Sequence, residues 1–374
     1  MASTAESVTV NPANLHGLNY DTLAAKQRSG PYPGPVIDIH THLHDPDAAR
    51  VFFETAEKFN VTHAFSMTPI EHLEAVQAAA PDRVHFNCVP SYQRREEPGT
   101  FTTRWLEGIT TYWDLGARLI KFWAAPRGRD FAKQAQEAGV TDPDLPGALV
   151  LDSPIRRRGM QRAHDVGYRV WMTHIADPDT WFATKYADAS FYGTKRQQYE
   201  PLERLLDQYH DVQWIGAHMG GSPEDLTFLS GLMDRHPNLH VDTSATKWMV
   251  RELSKHPGAF ADFVRAYPTR VLFGTDIVAG EDNWQGPESG GEPGHGHELY
   301  ASRFWAIRSL IESSHDGPSP IVDPDLHMVD PSAAEHSSPM LRGAGIDVDL
   351  LPGVYHDNAV ALLERAYPGQ DLLS

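Results

Sequence analysis

A (β/α)₈ barrel is the fold this sequence predicts, on three observations. Short β-rich runs ending in small or polar residues recur along the chain. Helix-like segments fall between them, and eight such units fill about 240 residues. The strands are read at residues 36–40, 63–67, 84–89, 118–122, 169–173, 212–217, 239–242 and 271–274. Helical patterns are read at 47–59, 70–80, 155–164, 201–208, 223–235 and 259–266, with two more at 298–312 and 358–365. This alternation implies parallel pairing, because a parallel neighbour needs a crossover connection. A doubly wound open sheet shares the pattern; eight units favour the closed ring.

The flanking stretches read differently. Residues 1–35 are expected to be an irregular arm, since 29–35 is rich in Pro and Gly. The barrel then occupies 36–374 and includes an insertion at about 313–354, rich in Pro, Asp, His and Ser and suited to an interface or a lid. A second long stretch, 175–200, follows strand five and carries Trp181, Phe182, Tyr186, Phe191, Tyr192 and Tyr199. It reads as a roof over a pocket, a packed cover or a subunit contact.

Composition narrows the function. The chain has 374 residues, 41% hydrophobic and 22% charged, which suits a globular core. Its net charge is −18, from 32 basic and 50 acidic side chains. Such a field repels nucleic acid and anionic membranes, so neither is expected as a partner. A small-molecule substrate is expected, and an anionic one needs local Arg, Lys or metal charge. The lone Cys88 excludes an internal disulfide and a cysteine zinc site. Together with the absence of an apolar leader pattern in 1–14, it leads to a cytoplasmic expectation. Assembly into a homo-oligomer is left open.

The strongest local signal is Asp38-Ile39-His40-Thr41-His42 at the end of strand one. Residues two apart in a strand share a face, so His40 and His42 can grip one cation at the barrel mouth. By the same phase, Asp38 is expected to steady a ligand histidine. Other ligand-type residues end other strands: His174 after strand five, His218 after strand six and Asp276 after strand eight. Donors so far apart in sequence meet only if the strands close in a ring. Imidazole nitrogens and a carboxylate suit a borderline divalent ion such as Zn²⁺, with Mn²⁺ not separable by ligand type.

On these strand-end motifs, and on the closing Tyr355-His356-Asp357-Asn358-Ala359, the sequence resembles the amidohydrolase-related (amidohydrolase 2) family of the amidohydrolase superfamily. That family includes metal-dependent hydrolases and nonoxidative decarboxylases such as aminocarboxymuconate-semialdehyde decarboxylase. The resemblance implies that His40, His42, His174 and Asp276 hold one divalent ion. It also implies that His218 orients the metal-bound water or polarises the substrate.

The leading expectation is hydrolysis of an amide, ester or lactone through a metal-activated water, with Asp276 and His218 as the catalytic residues. The alternative is nonoxidative decarboxylation of an aromatic or unsaturated carboxylic acid. A barrel that binds metal without catalysis is the third reading, and the complete donor set argues against it.

Lys121, ending strand four, and Arg127 beyond it are expected to bind substrate. In some superfamily members a lysine at the position of Lys121 is carboxylated and bridges two metals. Arg94, Arg95 and Arg129 are further carboxylate-binding candidates, each with an ordinary surface explanation. His44 is expected to lie beyond strand one and to touch loop or substrate. His63 and His85 are expected to be structural. His295 and His297, in a Gly-rich segment without a strand, mimic a metal pair.

Overall fold

The computed structural model describes residues 10–280, 295–334 and 336–373. Eight strands appear where the sequence places them: β1 Val36–Leu43, β2 Val61–Ser66, β3 Val84–Cys88, β4 Leu119–Trp123, β5 Val170–His174, β6 Gln213–Gly216, β7 Leu239–Asp242 and β8 Val271–Leu272. A ninth, β9 Ile277–Ala279, continues the path of β8 after a short break. Neighbours run in the order β8-β7-β6-β5-β4-β3-β2-β1-β9, and every pair is parallel. The ring closes where the broken eighth strand meets the first. Ile39 N–H donates to Phe273 O at 3.0 Å and Asp276 N–H to His40 O at 2.8 Å, while β9 pairs with the end of β1. The fold is a (β/α)₈ barrel.

The inside of the ring is apolar towards one end and polar at the other. Ile37, Ile39, Leu119, Val170, Met172 and Leu272 form one buried cluster with Leu362, Leu363 and Tyr367. The last three belong to the terminal helix Asn358–Ala366 and its cap, so that helix plugs the ring end away from the ligand residues. Strands β4 to β7 contribute Ile120, Phe122, Trp171, Trp214 and Val241 to the larger cluster shared with the outer helices. A parallel strand buried on both sides is why these segments read as nearly continuous apolar runs.

A helix absent from the sequence reading, and one read at 201–208 that starts earlier, explain themselves by amphipathic spacing and by capping. Thr103–Asp114 buries Trp105, Ile109 and Tyr112 on one face, at helical spacing. Lys195–Gln208 begins with a capping box, Thr194 with Gln197, and tolerates Pro201 inside it. The arm is a correction to the expectation of irregularity. Asn19 caps a helix at Tyr20–Arg28, and Gln27 Nε2 ties it to the helix His295–Glu312 through Trp305 O and Ser309 Oγ, both at 3.1 Å.

Within 313–354, a two-stranded antiparallel ribbon, Asp316–Pro318 with Met340–Arg342, brackets a short helix at Asp325–Val329. Ile321, Leu341, Ile346 and Leu351 anchor this stretch in the core. His63 and His85 touch each other at 3.1 Å on β2 and β3, away from the ligand cluster, and His85 stacks on Phe65. His297 lies in the helix His295–Glu312, where its Nδ1 meets Thr55 Oγ1 at 2.9 Å. Gly294 and the side chain of His295, the rest of that apparent metal pair, lie outside the described residues. Among the described residues no helix is long and apolar enough to cross a membrane.

Candidate active site and metal centre

The site is assembled from strand ends. Asp276 Oδ1 lies 3.1 Å from both His40 Nε2 and His42 Nε2, so β1 and the break after β8 deliver three donors to one point. His174, at the end of β5, and His218, just after β6, meet at 3.0 Å, Nδ1 to Nε2. The His40 and His218 rings are 4.9 Å apart, so the two pairs belong to one cluster.

Forming this cluster requires unusual backbone. His218 (φ 58°), Met219 (φ 52°), Ala245 (φ 65°) and Asp276 (φ 57°) all sit in the left-handed region, each costing about 1–2 kcal/mol for an L-residue. Hydrogen bonds hold two of these turns. His218 N–H donates to Asp242 Oδ1 at 2.8 Å, and Asp276 N–H takes the ring-closing bond to His40. Two glycines make the room. A Cβ on Gly274 would stand 3.1 Å from His40 Cβ, and one on Gly216 would stand 3.0 Å from Gly220 Cα across the His218 turn.

Behind the ligand side of the cluster lies a set of hydrogen bonds that the sequence reading missed. Asp242 Oδ2 holds His40 Nδ1 at 2.8 Å. Ser244 Oγ lies 2.9 Å from His40 Nδ1 and 2.8 Å from His218 Nδ1, and also bonds Asp242 Oδ1. Asp177 Oδ1 holds His174 Nε2 at 2.9 Å, while its Oδ2 accepts from Tyr186 at 2.7 Å. Asp242 could have been found, because it ends β7 as the other donors end their strands. Asp177 lies in the loop 175–200 and carried no pattern. Asp38 is a correction. It binds the His40 backbone N–H at 3.2 Å and Thr275 at 3.1 and 2.6 Å, not a ligand imidazole. The reason is a register shift in β1 between Asp38 and Thr41, which breaks the strict two-residue alternation.

These bonds decide which group can hold an ion. His40, His218 and Asp242 come close together, but Ser244 Oγ already sits among them. The other group, His40, His42 and Asp276, has no hydroxyl among its donors. With the Asp242 and Ser244 bonds made through Nδ1–H, His40 and His218 turn Nε2 lone pairs to the front. With Asp177 taking the Nε2 proton, His174 turns its Nδ1 lone pair there too. These lone pairs, with His42 Nε2 and the Asp276 carboxylate beside that of His40, fit a divalent cation.

The charge states of His42, His218 and Asp276 agree with that fit, whereas His40, despite its burial and the nearby Lys121, is raised above its usual value by Asp242 and Asp276. Burial drives the His42 pKa down to about 3 and His218 well below its usual value, so both rings are neutral ligand types. Burial opposes ionisation of Asp276, but the charge and bond of His40 and the bond from His42 hold its carboxyl well below the usual range. Burial also lowers the Lys121 pKa, and its Nζ lies 2.7 Å from His40 Nε2, on the ligand face.

Two adjoining cavities open onto the cluster and share His174, Asp177, Trp181, His218, Asp276 and Val278. The smaller, about 260 Å³, is walled by His42, Lys121, Arg127 and the apolar or aromatic Met67, Trp123 and Phe131. The larger holds about 410 Å³. The expected substrate residues Lys121 and Arg127 therefore face one space. Arg94 is paired with Glu97 at 2.7 and 2.6 Å, and Arg94, Arg95, Arg129 and His44 line neither cavity.

The amidohydrolase family model matches residues 37–365. The chain belongs to the amidohydrolase family. This amidohydrolase is an enzyme of the metal-dependent kind, a hydrolase or a decarboxylase. Among solved structures it is similar to a 2,6-dihydroxybenzoate decarboxylase complexed with 2,6-dihydroxybenzoate (13% identity, TM-score 0.45, 88% of this chain and 99% of that one). It is also similar to a manganese-bound 5-carboxyvanillate decarboxylase from Novosphingobium aromaticivorans (11%, 0.45, 93% and 99%). A lactonase from Listeria monocytogenes is similar at the same level (12%, 0.45, 91% and 97%). Likeness this low assigns no substrate to the amidohydrolase described here. No curated protein sequence matches it.

Proposed function

We propose that the protein is a metal-dependent nonoxidative decarboxylase of an aromatic or unsaturated carboxylic acid. One observation carries this reading: Arg127 and Lys121 share a small, largely apolar and aromatic cavity with His42 and Asp276. The sequence alone puts hydrolysis first. A neutral amide, ester or lactone has no use for two further cations beside the ion, whereas a flat carboxylate uses both the cations and the aromatic walls.

His40, His42, His174 and Asp276 would hold the ion. A divalent ion there, Zn²⁺ or Mn²⁺, would supply positive charge towards an anionic substrate. The remaining work falls to side chains. Arg127 pairs with the carboxylate, and Trp123 and Phe131 flank the ring and keep water from it. Asp276, ionised in spite of its burial, takes a proton from a substrate hydroxyl and delivers it to the carbon that bears the carboxylate. His218, uncharged, lies beside Asp276 on the cavity wall and does not compete for that proton. The bond to the carboxylate then breaks, its electron pair restores the ring, and CO₂ leaves. No redox partner is needed.

The test is a panel of hydroxylated benzoates and unsaturated acids assayed for CO₂ in isotopically labelled water. The expected product carries a solvent-derived hydrogen on carbon and no solvent oxygen. Turnover only of lactones, esters or amides, with labelled oxygen in the product, would overturn the reading in favour of hydrolysis.

A further inference from the structure

His40 and His174 are oriented in different ways. Asp242, behind His40, is itself held by backbone: its Oδ1 accepts from the N–H of His218 at 2.8 Å and from that of Ser244 at 3.1 Å. Asp177, behind His174, lies just past β5 in the stretch 175–200, and a side chain of that stretch holds it. Tyr186 OH donates to Asp177 Oδ2 at 2.7 Å, while Asp177 Oδ1 lies 2.9 Å from His174 Nε2. The last torsion of an aspartate has a broad well, so a single bond lets the carboxylate swing. Two bonds, one to each oxygen, fix its plane. Both residues are buried, with Asp177 4% and Tyr186 3% exposed, so losing either bond is costly.

Tyr186 is placed by contacts other than Asp177. Its N–H donates to Trp181 O at 2.8 Å. Its ring meets those of Phe182 and Tyr192, with centroids 5.3 and 4.8 Å away. Tyr192 OH in turn donates to Asp130 Oδ1 at 2.8 Å, in the helix Gly128–Glu137. The phenol oxygen is thus fixed from its own loop, and the carboxylate follows it.

We propose that Tyr186 is a positioning residue for the metal ion: by holding Asp177 it keeps the Nε2 proton of His174 on the carboxylate and the Nδ1 lone pair free for the cation. The inference rests on His174 being a ligand, not on decarboxylation, and it holds equally for a hydrolase. It gives the aromatic stretch a role beyond that of a cover. Trp181, in the same stretch, lines both cavities, so the segment that walls the substrate space also sets one ligand of the ion.

The experiment is calorimetric titration of the metal-free full chain with Mn²⁺. Tyr186→Phe keeps the ring packing and removes one hydroxyl. It is expected to weaken Mn²⁺ binding about fivefold, less than the loss of Asp177 itself. Tyr192→Phe removes a hydroxyl of the same aromatic cluster that bonds Asp130 instead, and is expected to leave the affinity unchanged. In an Asp177→Ala background the effect of Tyr186→Phe is expected to vanish, because the hydroxyl then has no carboxylate to hold. A role in folding alone would add the same loss in both backgrounds. Unchanged affinity in Tyr186→Phe, an equal loss in Tyr192→Phe, or a loss that persists beside Asp177→Ala would each overturn the proposal. His174→Ala separates it from the ligand set, with an expected loss of about 100-fold or more. If that variant binds Mn²⁺ as the parent does, the ligand set itself fails. If it loses the ion while Tyr186→Phe keeps full affinity, the ligand set stands and only the role of Tyr186 falls.

Discussion

The mouth of the barrel has two unlike halves. On one side stand His40, Asp242, Ser244 and His218, held by strand ends, fully or almost fully buried and bonded to one another. On the other stand Trp181, Arg127 and Asp325, which come from outside the strands and meet one another through bonds such as Trp181 Nε1 to Asp325 Oδ2 at 2.7 Å. The first half fixes charge and geometry where an ion is to be held. The second shapes the space in which a substrate lies. Chemistry needs sub-ångström placement, which a strand network gives, whereas specificity can be rebuilt by changing loops.

This contrast can be broken from the framework side first. Asp276→Ala should remove the bound ion and lower CO₂ release by about 10³-fold or more, since one carboxylate serves as ligand and proton carrier. Metal analysis beside a turnover assay checks it, and a variant that keeps its ion and rate would refute the ligand set. Next in size, Asp242→Asn and Asp177→Asn should each weaken ion binding by about 10–100-fold, because each orients an imidazole. Asp242 should cost more, as it also holds the His218 backbone. Ion titration of the two variants ranks them, and a larger loss at Asp177 would reverse the comparison drawn here.

Acid should strike the framework too. His240 on β7 is 2% exposed, and burial lowers its pKa to about 4. The unfolded chain binds its proton near the ordinary value of about 6.5. Between those values the unfolded state therefore holds more protons, so stability falls as pH drops through that window and is unaffected above it. From pH 7 to pH 5 this histidine should cost about 2 kcal/mol, a cost that His240→Phe removes. Denaturant titrations at both pH values decide the point, and parallel losses in parent and variant would exclude His240 as the cause.

The smallest effect belongs to the wall. Arg127→Met should raise KM about tenfold and leave ion content unchanged, because Arg127 meets the substrate carboxylate outside the ligand cluster. Loss of the ion in that variant would erase the division between framework and wall.

By itself the sequence determined the ring and its donors. All eight strands lie where alternation and β-rich runs put them, and His40, His42, His174, His218 and Asp276 meet at strand ends, because a strand's length and phase are local properties. Tertiary structure decided what no local pattern encodes. The bulge in β1 turned Asp38 to Thr275 and gave the His40 ring to Asp242, a residue 202 positions away. The helix in the arm forms against the helix His295–Glu312. The two cavities exist only where loops from distant strands and the insertion close over the mouth. Their shape depends on contacts between segments far apart in the chain, and such contacts leave no periodic trace in the order of residues.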